Sequence, residues 1–490
     1  MSSNARPAWE ESLSDDEYRS LSNTQRRVSE GSDQVLVNPA YADKSDEEIK
    51  DSVWDILFDT DKELTTRLQE LEGEQASKFG PRSIAIPWEE RRSSLLDYFN
   101  KDDFDPGELA ELDGPHTLRP VGKDAVAKRL IKSSSAGLPY MRQKGAVMDN
   151  ALSSWSEEVG VYPCVLYTRT AEEKKTRNVW GYPISDTIWE QEIEIPFLEQ
   201  EKKFPFRAAL IGPSAVDRSI TWILDRVDSD HMIVCVDFSA YDASIRSELT
   251  YGAFSFIASF FQPQISQEIY QLYRRFLTIP IFTPDGEKSG PHGVPSGSAF
   301  TNSVDSIIQF GVAGHLSDDF QVQGDDGVYL VRKSDLDTFH SLFAEAGLTL
   351  NEDKTEMFES EEALYLQRYY NPLYKGEGGE YGGVYPIFRA MNRIKYLERF
   401  TNLEELGIEG SDFFSLRTIM ILENCKYHPC FLELVMLAQS LDKYGLKYSR
   451  QSVSAYSKST ESRARAGLFD TEDFASGFDS FETVKILNSL

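Results

Sequence analysis

The sequence predicts an α+β fold, and three observations carry that prediction. A β-branched run, Ile233-Val-Cys-Val236, reads as a buried strand that ends on an acid, Asp237. Two short apolar runs, Phe320–Gln323 and Val328–Val331, flank Gly324-Asp325-Asp326-Gly327, the pattern of a β-hairpin. Helical periodicities interleave with these strands without regular strand–helix alternation, which argues against a doubly wound sheet.

In chain order, residues 1 to about 47 are polar, charged and poor in aliphatics, and are expected to form a flexible or loosely draped arm. From Asp46, apolar positions at Ile49, Val53, Trp54, Ile56, Leu57 and Leu64 follow a helical spacing. Pro81 and Pro87 interrupt it, and residues 88–135 read as helical, with loops at Asp105-Pro106-Gly107 and Asp113-Gly114-Pro115. The strand and hairpin above occupy the middle of the chain. The stretch 334–347 is an amphipathic helix capped by Ser334 and stopped by Gly347. Gly376–Gly383 marks a loop, the chain from Pro386 is mostly helical, and a polar, Ser-rich tail begins at about Tyr448. No internal repeat is present.

Composition limits the function. At roughly 150 residues per domain, 490 residues suggest about three domains with ample core material. Four scattered cysteines cannot staple such a chain and fit a reducing compartment. Cys425, His428 and Cys430 suggest zinc, but no fourth ligand lies nearby in sequence, so buried cysteines in a helix are expected. No apolar run of about eighteen residues predicts a membrane span, and the acidic N-terminus has no apolar signal core. A net charge of −29 excludes a protein that coats nucleic acid with its outer surface, while leaving room for a basic internal channel.

The chemistry lies in the acids. Asp-Asp doublets occur four times, and only Asp325-Asp326 falls in a tight turn between apolar strands. Asp237 closes a buried strand, where an acid is costly unless paired or metal-bound, and Asp242 follows five residues on. Asp237 with the Asp325-Asp326 turn provides oxygen ligands for two magnesium ions about 3.5–4 Å apart, with manganese as a substitute. Between them, Gly290-Pro-His-Gly293-Val-Pro-Ser296-Gly297-Ser298 runs into a helix through Thr301, Asn302 and Asp305.

That order of strand-borne acid, Gly/Ser loop with helix, and GDD hairpin resembles motifs A, B and C of RNA-dependent RNA polymerases. The phrases DFSAYDASI, GVPSGSAFTNSVDSI and QGDDGVYL are most similar to double-stranded RNA viruses of the picobirnavirus type, with partitiviruses next. The resemblance implies a right-hand polymerase with fingers, an antiparallel palm and a mainly helical thumb. It implies catalytic and metal roles for Asp237, Asp325 and Asp326. Lys174-Lys175-Thr-Arg177 resembles motif F, whose basic groups hold the triphosphate, and Arg169 is expected to join it. Ser135 and Gly137 fall in a motif G-like run that guides template, and Lys354 is the motif D general acid. Arg368 lies in a motif E-like hairpin. Ribose contacts fall among Asp242, Ser296, Thr301, Asn302 and Asp305, with Gly297 in the same loop. Picornavirus-like polymerases carry asparagine nine places after the motif B serine, where this chain has Asp305.

The implied domains are an N-terminal arm (1–79), fingers (80–225), palm with motif A (226–250), a second fingers insertion (251–289), palm with motifs B to E (290–385), and thumb with tail (386–490). Implied partners are template and product RNA, nucleoside triphosphates and a viral capsid protein, without membrane, in the virion interior and host cytoplasm. Reverse transcriptase and a non-catalytic, RNA-tethering capsid component are the rival readings. An acid at position 242, where reverse transcriptases place a bulky aromatic, favours ribonucleotides. In FRAMNRIKYLERF, Arg389 and Arg393 share a helix face, and Lys395 and Arg399 form a second i, i+4 pair. The first pair is expected to grip the phosphates of product RNA, away from the metals.

Overall fold

The computed structural model describes residues 7–58, 62–376, 378–456 and 477–490. Most of the polar tail expected after Tyr448 falls at 457–476, outside the described residues. The ten described strands are β1 (Cys164–Thr170), β2 (Thr176–Gly181), β3 (His231–Val236), β4 (Ile281–Thr283), β5 (Gly286–Lys288), β6 (Ser317–Gln323), β7 (Asp326–Arg332), β8 (Glu356–Phe358), β9 (Ala363–Tyr365) and β10 (Arg368–Tyr370). They form a central antiparallel sheet ordered β6-β7-β3-β8, a second sheet ordered β2-β1-β4-β5, and the β9-β10 hairpin.

The β-branched run of β3 is explained by burial on both faces. Val234 and Val236 point into a core built with helices Ser247–Ala258, Ser266–Thr278, Thr301–Ala313 and Leu336–Glu345. Ile233 and Cys235 point the other way, onto helix Pro213–Leu224 and β9. A strand covered on both faces reads as continuous rather than alternating hydrophobicity.

Several sequence expectations need correction. The N-terminal arm is ordered from residue 7. Helix Asp15–Glu30 starts in a reciprocal capping box between Ser14 and Glu17 and buries Leu21 and Val28. Trp9 donates from Nε1 to Glu287 at 2.7 Å. The chain then crosses to the C-terminal helices, where Val37 bridges Tyr396 and buried Asn38 donates to the Ile394 carbonyl at 3.1 Å. Its few apolar side chains form a stripe too narrow to signal docking; the surface it docks on is made by the rest of the fold.

The periodicity from Asp46 divides into helices Asp46–Phe58 and Thr66–Ser77, the latter capped by Thr65, which accepts from the Leu68 amide at 3.2 Å. Only Trp88–Leu96 and Lys123–Arg129 of the 88–135 stretch are α-helical, because Pro106, Pro115 and Pro120 punctuate the rest. Ser334 is not a cap. It lies in a 3-10 turn, and the helix begins at Leu336 without a side-chain cap. Gly347 does end it, with φ +81.

Cys425 and Cys430 are buried as expected, but in the turn between helices Gly410–Glu423 and Phe431–Leu441 rather than in a helix, and His428 Nδ1 accepts from the Cys430 amide at 3.0 Å. No helix among the described residues is long and apolar enough to cross a membrane.

Asn38 also accepts the Ala40 amide at 3.0 Å, so its removal strands that buried amide and leaves the Ile394 carbonyl to Arg417 alone. Asn38→Ala is expected to lower stability by about 1–3 kcal/mol in denaturant melts.

Candidate active site

The acids meet because of strand register. β3 and β7 are antiparallel with Val236 opposite Gly327, so the next step places Asp237 across from Asp326. β6 and β7 close at Gln323 opposite Asp326, which leaves Gly324 and Asp325 as a two-residue turn, tighter than the four-residue loop expected. Gly324 takes φ +65, a sign that glycine adopts freely at the first central position of such a turn. Asp325 is thereby exposed at the tip, beside partly buried Asp326.

Electrostatics show the crowding. Burial, then Asp325 and Asp237, push the Asp326 carboxyl up to about 7. Burial and then Asp325 push Asp242 up to about 7 as well. Fully buried Asp305 is driven up by burial, Asp242 and Asp325, and its Oδ1 has no hydrogen-bond partner among the described residues. Lys354 Nζ lies 3.7 Å from Asp237 Oδ1. Crowded carboxylate oxygens are the donor set that hard divalent cations favour, and a cation there relieves their repulsion. The side chains are gathered but not closed: among the described residues, no three His, Cys, Asp or Glu groups surround one ion position.

The Gly/Ser loop sits hard against β2. A Cβ on Gly297 would lie 1.6 Å from the Trp180 carbonyl oxygen, and one on Gly293 would lie 2.2 Å from that of Asp242. Ser296 Oγ donates to the Asn178 carbonyl and accepts the Trp180 amide, both at 3.4 Å. Thr301 Oγ1 turns back to the Pro295 and Ser298 carbonyls at 2.9 and 3.0 Å, which commits its proton to the loop. Asn302 Oδ1 accepts from buried Arg207 at 2.6 Å, so that oxygen too is engaged within the protein. Of the expected ribose contacts, Asp242 and Asp305 stand beside the hairpin acids, while Ser296, Thr301 and the Asn302 oxygen hold the loop and helix in place.

Basic groups face these acids from the β1–β2 hairpin. Lys175 and Arg177 are exposed. Burial, then Arg177 and Lys354, push the Lys175 ammonium down, and Asp237 and Asp325 oppose that shift from across the site. Arg177 lies within electrostatic reach of Asp242 and Asp326. Lys174 is exposed in the turn with φ +58. Arg169 instead pairs with Glu398 at 3.0 Å, an acid that also faces Arg82 at 3.7 Å.

Helix Ile387–Lys395 is mostly buried rather than solvated. Lys395 is buried against Asp46 and the Lys44 carbonyl, so the expected pair with exposed Arg399 does not form a basic face. Arg393 donates to Tyr385 at 2.9 Å. Arg389 lies within electrostatic reach of Asp326, close to the site rather than away from it. Arg368 donates to Asn424 at 3.0 Å, Ser135 Oγ lies 2.9 Å from the Tyr167 hydroxyl, and Gly137 packs tightly on the Tyr182 carbonyl.

A sequence model of viral RNA-dependent RNA polymerases matches residues 111–378, more than half of the chain. The chain belongs to this family. A potential RNA-dependent RNA polymerase of human picobirnavirus is 26% identical over 440 residues, covering 82% of this chain and 81% of that one. An RNA-directed RNA polymerase of Cryptosporidium parvum virus 1 is 28% identical over 270 residues, 46% of this chain and half of that relative. The crystal structure of a human picobirnavirus RNA-dependent RNA polymerase superposes with a TM-score of 0.81 at 23% identity, over 99% of both chains. An insertion-loop deletion mutant of that polymerase gives 0.80. These matches establish the α+β right-hand polymerase fold and an RNA-directed RNA polymerase, whose substrates are RNA and nucleotides. Neither rival reading is favoured.

Within this polymerase, sequence reasoning missed the residues that hold the site together. Glu190, on helix Ile184–Glu201, accepts from Ser298 Oγ at 2.8 Å and the Ala299 amide at 2.7 Å, and burial pushes it up to about 8. Arg207 ties the motif B helix to the GDD hairpin. Acids at 190, 194 and 201, at spacings of four and seven that put them on one face with the helix's apolar residues, were the available signal.

Gly297→Ala is expected to reduce nucleotide incorporation by more than about tenfold, because the loop must leave β2 to admit the methyl group. Primer extension on folded protein checks this.

Proposed function

We propose that this polymerase replicates and transcribes a double-stranded RNA genome by two-metal-ion nucleotidyl transfer, with Asp237, Asp325 and Asp326 as metal ligands. The observation that carries the reading is the meeting of these acids at one turn, opposite Lys175 and Arg177. Magnesium, or manganese in its place, supplies hydroxyl activation and charge neutralisation when bound at such a site. The protein's own groups position the reactants: Lys174, Lys175 and Arg177 orient the triphosphate, and Asp242 and Asp305 line the ribose position. Lys354, beside Asp237, donates a proton to the departing pyrophosphate.

A division into fingers, palm and thumb is supported by the sheets. Strands β4 and β5, from the second insertion, join β1 and β2, while motifs A and C share the central sheet. The resemblance to polymerases of double-stranded RNA viruses supports work in the virion interior and host cytoplasm beside capsid protein.

Asp325→Ala or Asp237→Ala is expected to cut incorporation more than about a hundredfold, with fold and RNA binding retained. Near-normal extension by folded Asp325→Ala would overturn the assignment. Asp242→Ala should narrow the preference for ribonucleotides over deoxyribonucleotides, since a site built around a hydroxyl leaves its own groups unpaired by the analogue; competition between the two triphosphates reads this ratio. Arg389→Ala with Arg393→Ala should flatten the log–log salt slope of RNA binding by about 0.7–0.9 for each phosphate that is no longer neutralised. Because Arg389 is close to Asp326, incorporation at saturating RNA should fall as well.

A further inference from the structure

Beneath the active site, two buried carboxyls converge on one hydroxyl. Ser303 Oγ lies 2.7 Å from Glu194 Oε1 and 2.6 Å from Glu201 Oε2, and all three residues are buried. A hydroxyl has a single proton and can donate to one of these oxygens. The other contact, at hydrogen-bond distance, needs a proton of its own. One carboxyl must therefore be protonated and donate to Ser303 Oγ. Arg207 Nε lies 3.4 Å from Glu201 Oε1, with both side chains fully buried, which places the negative charge on Glu201 and the proton on Glu194. Two further charged groups face Glu194: Arg207 favours its ionisation, and Glu190, one turn back on the same helix, opposes it, so burial and Glu201 decide the direction.

The guanidinium so anchored spans two catalytic motifs. It donates to Asn302 Oδ1 at 2.6 Å and to Ser306 on the motif B helix. On the motif C strand it reaches the Val322 carbonyl at 3.1 Å and Gln323 Oε1 at 3.0 Å. Ser306 Oγ in turn accepts the Gly324 amide at 2.9 Å, inside the turn that presents Asp325.

We propose that Arg207 is a positioning residue that sets the GDD turn against the motif B helix, and that Glu194 and Glu201 anchor it by sharing one trapped proton through Ser303. This rests on the polymerase reading of the hairpin acids. The Glu194 carboxyl is held well above the carboxylate range by burial and by Glu201. Above the ordinary carboxylate value the unfolded chain has released this proton while the folded chain keeps it. Folding stability from this group therefore falls as pH rises through neutrality.

The test uses the full chain. Denaturant unfolding at pH 6 to 9 should show that Glu194→Gln, whose amide donates to Ser303 without titrating, lowers the proton slope of unfolding by about one. Glu201→Gln, which removes the charge that helps to hold this proton on Glu194, should move the slope to lower pH and lower stability at every pH. In single-nucleotide incorporation, Arg207→Lys, which keeps the charge but not the fork, should lower kcat about tenfold or more with little change in RNA affinity. Ser306→Ala, which cuts the same link at the hairpin, should act in the same direction and serves if Arg207→Lys does not fold. An unchanged slope in Glu194→Gln overturns the trapped proton. Normal kcat in Ser306→Ala or folded Arg207→Lys overturns the positioning role. Asp325→Ala is run alongside: if it remains active the metal-site reading fails, and if it is dead while Ser306→Ala is normal only the positioning role fails.

Discussion

A fully buried guanidinium has to be met by hydrogen-bond acceptors on every side, because leaving a desolvated charge unpaired costs several kcal/mol. Arg207 meets most of that demand with hydrogen bonds to helix Thr301–Ala313 and to β6, and faces its remaining nitrogen to Glu201 of helix Ile184–Glu201 as an ion pair at 3.4 Å. No subset of those elements can satisfy it alone, so the guanidinium rewards one arrangement of all three. Buried ion pairs are poor sources of net stability but discriminate strongly between packings. At this position the discrimination fixes where the catalytic turn stands relative to the loop beside it.

The same demand recurs around the site with different chemistry. Glu190 satisfies the hydroxyl and amide of Ser298 and Ala299 at the start of the motif B helix. Arg91 donates to Thr168 at 2.8 Å and to Asn178, bracing the two strands that carry Lys175 and Arg177. The acids at the hairpin are the exception. They are crowded and incompletely paired, and carboxylates in that state favour a nearby cation, which relieves their repulsion.

Enclosure is the second consequence of long-range pairing. The N-terminal segment runs from Trp9 on β5 to Asn38 on the C-terminal helices, and Glu398 reaches back to Arg169 and Arg82. In a chain of net charge −29, Lys175, Arg177 and Arg389 are nonetheless gathered within electrostatic reach of the site's acids.

Much of the chemistry is legible in the sequence because it is local. A β-branched run ending on an acid, a glycine in the turn and a Gly/Ser loop before a helix each constrain the backbone within a few residues. They place Asp237, Asp325, Asp326 and the motif B loop without reference to the rest of the fold. The departures come wherever burial is decided by distant partners. The arm reads as unstructured because its apolar stripe is narrow. Lys395 reads as half of a basic i, i+4 pair until Asp46 covers it, and Arg169 reads as a triphosphate contact until Glu398 pairs with it. Thr301 and Asn302 read as ribose contacts, but their oxygens are engaged inside the protein. Sequence by itself determined the polymerase family and the acids, glycines and basic residues that mark its motifs, since backbone preference and side-chain type act over a few positions. Only the tertiary structure decided which charges are desolvated and by whom they are paired, because that depends on contacts between segments a hundred or more residues apart.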